Sequence, residues 1–245
     1  MESKIGFRIY KDFKRPSEEL VHKFNGIPSS NIGDILLRLS CMRHEIKPFN
    51  DLPLLGIAFT VKAPAGDNLV LQKALDLAKP GDIIVVDGEG CKDRSLMGEM
   101  MVDYAVRRGI KGFVIDGAVR DANALKNAKI PFYASAVTPQ GPYKNGPGEI
   151  NVPIACGGQV VFPGDILVGD EDGIVVIRPQ YAEELAELAI KKHDGEITEL
   201  ASRTKGNSID EMIAAHIGMY DPILEKKGVQ YLEFAECDGW EEKHE

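Results

Sequence analysis

The stretch Gly109-Ile110-Lys111-Gly112-Phe113-Val114-Ile115-Asp116-Gly117-Ala118-Val119-Arg120-Asp121 decides how the chain is read. Phe113, Val114 and Ile115 form a short apolar run with two β-branched residues, entered through two glycines, the pattern of a strand covered on both faces. Asp116-Gly117 is expected to break that run. Arg120 and Asp121 follow just past the strand's carboxyl end, where open α/β sheets present their chemistry. A cation beside an anion at that edge suits a site that handles a negatively charged substrate and a metal ion together. The same pair would serve equally as a helix cap or a surface ion pair.

Working outward toward the N-terminus, Met97, Met101, Tyr104 and Ala105 fall on one face of a helix that starts near Gly98. Before it, Pro80-Gly81 sets a tight turn and Ile83 to Val86 reads as a second strand, with Asp87 to Arg94 as a glycine-rich connection. Strand, helix and strand in this order make a parallel βαβ unit. The crossover brings the helix start to the same sheet edge as Arg120 and Asp121. There the amides of Gly98, Glu99, Met100 and Met101 are orphan donors, a cradle for a carboxylate, and Glu99 stands in the mouth.

Farther out, short helices are expected over Ser17 to Phe24 and from Ser29 through Leu39, the second carrying Asp34 in its first turns. Leu55 to Val61 reads as the first strand and Asn68 to Leu77 as a helix. Beyond Asp121 the chain changes character. Short strands follow a Gly/Pro-rich loop from Thr138 to Gly148, with hairpin signals at Gly157-Gly158 and Asp172-Gly173. Pro163-Gly164-Asp165 repeats the earlier Pro80-Gly81-Asp82, which reads as shared turn chemistry rather than as a repeat architecture. A helix over Tyr181 to Lys192 precedes a mostly helical, acidic C-terminal stretch. The expected organisation is one α/β domain over residues 1–206, with N-terminal helices, and a helical extension over 207–245.

The net charge of -9, from 38 acidic and 29 basic residues, supports no nucleic-acid surface. Cys41, Cys91, Cys156 and Cys237 are widely spaced, and no apolar run approaches the ~20 residues of a membrane span, so a cytoplasmic protein with no membrane partner is expected. The Asp87-Gly88-Glu89-Gly90 phrase lacks the third glycine of a dinucleotide fingerprint. The five histidines stand singly, and no serine sits in a nucleophile elbow.

The phrase Gly98-Glu99-Met100-Met101, followed by Arg107 to Asp121, is similar to the RraA-like family, which includes metal-dependent 4-hydroxy-4-methyl-2-oxoglutarate and 4-carboxy-4-hydroxy-2-oxoadipate aldolases. The resemblance runs from about Ser29 to Arg178 and includes Asn151-Val152-Pro153-Ile154 and the phrase starting at Pro163. It implies a swivelling β/β/α sandwich, assembled as homotrimers or homohexamers with sites between subunits. It implies that the amides of Gly98 to Met101 hold a pyruvyl carboxylate, that Arg120 binds substrate oxygens, and that Asp121 ligates Mg²⁺ or Mn²⁺. Glu99 occupies the position of a family carboxylate that orients a water on the metal. Glu196 is the nearest candidate for a glutamate that an adjacent subunit supplies, in a segment that departs from the family pattern. The implied activity is retro-aldol cleavage of a small 4-hydroxy-2-oxo acid to pyruvate, with oxaloacetate decarboxylation at the same site. The alternative is a non-catalytic binding protein of the kind that regulates a ribonuclease.

Overall fold

Four parallel strands in sequential order form the middle of the computed structural model, which describes residues 6–204 and 209–231. They are β2 (Leu54–Lys62), β3 (Asp82–Ser95), β4 (Gly112–Val119) and β5 (Phe132–Val137), joined by α3 (Leu69–Leu77), α4 (Glu99–Arg107) and α5 (Ala122–Lys126). Each helix is a crossover between parallel neighbours, the connection such strands require. The sheet is completed by β1 (Lys47–Pro48) against β5, by β9 (Ile166–Asp170) and β10 (Gly173–Ile177) antiparallel beyond β2, and by β6 (Glu149–Ile150) on β2. A separate hairpin, β7 (Ile154–Cys156) with β8 (Gln159–Val161), turns through Gly157 and Gly158 at φ 55° and 76°.

Three apolar clusters hold these layers. Phe59, Val86, Phe113, Ile115 and Phe132 meet the inner faces of α3, α4 and α5. On the opposite sheet face, Ala58, Val85, Val114 and Tyr133 lie against Ile154, Cys156 and Val161 of the hairpin. Around β9 and β10, a third cluster joins Ile166, Val175 and Ile177 to Val21 of α1 (Glu18–His22), Ile32 of α2 (Ser29–Ile35) and Leu185 of α6 (Ala182–Thr204). A strand buried on both sides needs an apolar run, and Phe113-Val114-Ile115 is fully buried as that rule requires.

Three local expectations are corrected. Asp116-Gly117 does not end β4, which continues to Val119 through a register irregularity against β5. Asp87 to Arg94 is not a connection but the second half of β3, carried past two register shifts against β4. Glu89 and Gly90 absorb the first of them in the left-handed region, at φ 56° and 64°. The second helix stops at Ile35 rather than near Leu39, because Leu37 and Arg38 take positive φ, which leaves Leu37 and Leu39 exposed.

The chain divides into two compact units, Met1–His193 and Asp194–Glu245. The second holds the last turns of α6, then α7 (Ile209–His216) and α8 (Asp221–Lys226), with His216 edge-on to Tyr220. The expected boundary at residues 206 and 207 lies outside the described residues. No helix among the described residues is long and apolar enough to cross a membrane.

Candidate active site

The extra length of β3 and β4 positions the site. Leu96 N donates to Ala118 O at 2.8 Å and Arg120 N to Met97 O at 3.0 Å, so the chain leaving β3 stays beside the end of β4. Gly98, the residue before α4, is thereby drawn against Arg120 and Asp121. A methyl group on Gly98 would stand 2.3 Å from Asp121 Oδ2 and 2.9 Å from Arg120 Cγ, so only glycine permits this approach. Glu99 N donates to Asp121 Oδ2 at 3.0 Å, and the crossover therefore joins the two loops as the strand order requires. Asp121 itself sits at φ 59°, ψ 42° as the residue preceding α5. Aspartate is among the few residues that enter this region, and such a conformation at a sheet edge directs attention to function.

These residues open onto a cavity of about 660 Å³ lined by Gly98, Met100, Met101, Arg120 and Asp121 together with Asn68, Ser95, Asp76 and Lys144. Glu99 is exposed beside them. Glu196 belongs to the second unit, in α6. The first unit thus brings together six of the seven residues singled out in the sequence. The amide cradle is narrower than four donors: Glu99 N–H is taken by Asp121, and Met101 N–H points back to Gly98 O at 3.1 Å. The N–H groups of Gly98 and Met100 have no partner among the described residues.

Sequence reasoning missed Asn68, Ser95 and Lys144. Asn68 stands at the N-terminus of α3, where an asparagine usually caps. Here Asp67 Oδ1 takes that role by accepting from Leu69 N at 2.9 Å, and Asn68 Nδ2 instead donates to Leu96 O at 2.7 Å. Lys144 lies in the Gly/Pro-rich loop, flanked by pinned backbone: Tyr143 N donates to Gly66 O at 2.8 Å, and Asn145 N to Asp67 Oδ2 at 2.6 Å. Its charge adds to that of Arg120. Asp76, on the far wall, is held below the usual carboxylate range, first by Lys73 and then by the Tyr104 hydroxyl.

The donor set fits a hard divalent cation bound in the manner of Mg²⁺. Asp121 offers an anionic oxygen on a half-exposed side chain, and its Oδ1 has no described partner. No group of three His, Cys, Asp or Glu side chains able to hold an ion occurs among the described residues, so most coordination positions would fall to water and substrate, which Mg²⁺ accepts.

The model of the RraA-like family, described as aldolase/RraA, matches residues 29–176, more than half of the chain. The chain belongs to the RraA-like family. It is 40% identical over 185 residues, 75% of this chain and 88% of the relative, to a Halalkalibacterium halodurans protein provisionally named 4-hydroxy-4-methyl-2-oxoglutarate aldolase. Among solved structures, an uncharacterised protein from Pseudomonas syringae pv. tomato superposes with a TM-score of 0.73 over 84% of this chain and 97% of its own, at 24% identity, a likeness of fold alone. RraAS2 of Streptomyces coelicolor, an unusual member of the RNase ES inhibitor RraA family, gives a TM-score of 0.68 at 29% identity, over 78% of this chain and 100% of its own. The architecture is therefore the α/β sandwich of RraA-like proteins.

Proposed function

We propose that the protein is a pyruvate aldolase that depends on Mg²⁺ or Mn²⁺ and cleaves a 4-hydroxy-2-oxo acid into pyruvate and a second oxo compound. The observation that carries this reading is the meeting, at one cavity, of a left-handed Asp121, Arg120 and the amides of Gly98 and Met100, which have no partner among the described residues. The provisional aldolase name of the Halalkalibacterium relative supports the same reaction class.

Retro-aldol cleavage removes the proton of the 4-hydroxyl and breaks the C3–C4 bond, leaving its electron pair on the pyruvyl half as an enolate that takes up a proton at C3 to give pyruvate. The developing charge falls on the ketone oxygen. The Arg120 guanidinium supplies fixed positive charge for that oxygen, and losing one such donor costs about 10²–10³ in kcat in comparable sites. The N–H groups of Gly98 and Met100 bind the pyruvyl carboxylate at the start of α4, where the helix dipole favours an anion. Asp121 would hold the divalent cation, which would supply electrophilic stabilisation to the developing enolate. Glu99, and Glu196 from a neighbouring copy in a homotrimer or homohexamer, are the carboxylates assigned to proton handling. The same electron flow releases CO₂ from oxaloacetate, so decarboxylation is the proposed side reaction.

The test couples pyruvate release to lactate dehydrogenase, offering several 4-hydroxy-2-oxo acids and oxaloacetate with Mg²⁺, with Mn²⁺ or with EDTA. Pyruvate that appears with metal and stops with EDTA is the expected result. Absence of metal-dependent pyruvate from every substrate removes the aldolase reading and leaves the binding-protein alternative.

A further inference from the structure

Asn68 has the side chain of a helix cap, yet it caps nothing. It is buried, at 2% exposure, in the wall of the same cavity, and Asp67 has taken the N–H of Leu69 in its place. Its Nδ2 donates instead to Leu96 O at 2.7 Å and lies 3.8 Å from Met101 Sδ. The carboxamide therefore touches the chain on both sides of Gly98, Glu99 and Met100. Gln72, one turn along α3, places a second amide nitrogen 3.4 Å from the same sulfur. Oδ1 of Asn68 is buried with no partner, so this side chain makes one strong hydrogen bond and leaves a costly acceptor unpaired.

The bond to Leu96 O bears directly on the amides that face the cavity. Leu96 is four residues before Met100, and its carbonyl is the one Met100 N–H would take if α4 ran one turn further back. Asn68 holds that carbonyl instead, and Met100 N–H makes no bond to it. The next carbonyl, Met97 O, accepts from Arg120 N at 3.0 Å and shares its peptide plane with Gly98 N–H. Two successive peptide planes ahead of α4 are thus each fixed by a donor, the first by Asn68 and the second by Arg120. Gly98 follows in extended backbone, at φ -155° and ψ -166°, and the helix begins only at Glu99.

We infer that Asn68 is a positioning residue for the carboxylate cradle, holding the Leu96–Met97 peptide so that the N–H groups of Gly98 and Met100 stay open to an anion. The inference rests on the aldolase reading for the identity of that anion, pyruvate, and on the hydrogen bonds alone for the positioning. Two measurements keep these apart. The first is the Met100 amide signal in a ¹H–¹⁵N spectrum of protein labelled at methionine, assigned by its loss in Met100→Leu. Met42, whose N–H donates to Ile174 O outside the cavity, is the internal control. The second is the Kd for pyruvate in the presence of Mg²⁺, from calorimetry.

Asn68→Ala is expected to displace the Met100 signal before any ligand is added, to leave Met42 unmoved, and to raise the pyruvate Kd about tenfold, the scale of one misplaced hydrogen bond to a charged group. Asn68→Leu, which fills the space without supplying a donor, carries the test if Asn68→Ala fails to fold, and the same changes are expected. A Met100 signal at its wild-type position, or an unchanged Kd, in a folded variant overturns the inference. Wild-type protein that binds no pyruvate overturns the aldolase reading, while a displaced Met100 signal still upholds the positioning.

Discussion

Gly98 and Asp121 make the site possible only together, because each occupies space the other would need. Gly98→Ala would place a methyl 2.3 Å from Asp121 Oδ2 and 2.9 Å from Arg120 Cγ, so the side chains of Asp121 and Arg120 must shift. We expect pyruvate formation to fall at least about 100-fold while circular dichroism remains that of the wild type; a variant with wild-type kcat would show that the close approach is dispensable. Asp121→Asn keeps the shape and removes the charge. Under the proposed ligand role it should cost more than the roughly 10–100-fold typical of a group that only orients a ligand, and calorimetry with Mg²⁺ should show the same loss. Arg120 and Asp121 were legible in sequence because they follow an apolar strand at its chemical end. Asn68 and Lys144 were not, since one resembles an ordinary helix cap and the other sits in a loop whose path depends on Asp67 and Arg94, both distant in sequence.

At the level of elements, the repeated Pro-Gly-Asp turn is shared chemistry with a visible basis. Gly81 and Gly164 take φ 93° and 95°, and Asp82 and Asp165 each accept a backbone N–H within the turn and pair with an arginine, Arg15 or Arg178. The glycine-rich half of β3 was misread because its bulges use residues that usually mark turns; pairing with β4 overrides that local preference. An N-terminal strap braces the far end of the loop that walls the site. Ile9 bridges Ile150, and Arg8 grips Glu149 through both carboxylate oxygens. Arg8, then burial in the opposite sense, sets the Glu149 carboxyl, whose net displacement is below its ordinary value of 4.5. The folded state thus favours the ionised carboxylate, and its contribution is full above that ordinary value and lost as pH falls through the lowered one. Glu149→Gln should therefore melt below wild type at neutral pH, with the gap closing in acid. A gap independent of pH would show that the charge is not what holds the strap.

Over the whole molecule, the order of strands and helices was enough to predict a parallel α/β core with its site at one edge, and the family match from 29 to 176 covers that core. The hairpin of β7 and β8 was announced by Gly157-Gly158, whereas β1 and β6 are too short to show by pattern, since two residues carry no periodicity. The chain is acidic overall, and the cavity sets Arg120 and Lys144 against Asp76 and Asp121. In the proposed reaction the pyruvyl end, assigned to Arg120, Asp121 and the amides, is separate from whatever lies beyond C4. The central claim is that this end stabilises a pyruvate enolate, and it is tested most directly without the rest of the substrate. In D₂O, ¹H NMR should show the pyruvate methyl signal decaying with enzyme and Mg²⁺, and remaining with EDTA or with Asp121→Asn. Exchange no faster than in buffer, or equally fast in Asp121→Asn, would contradict the account.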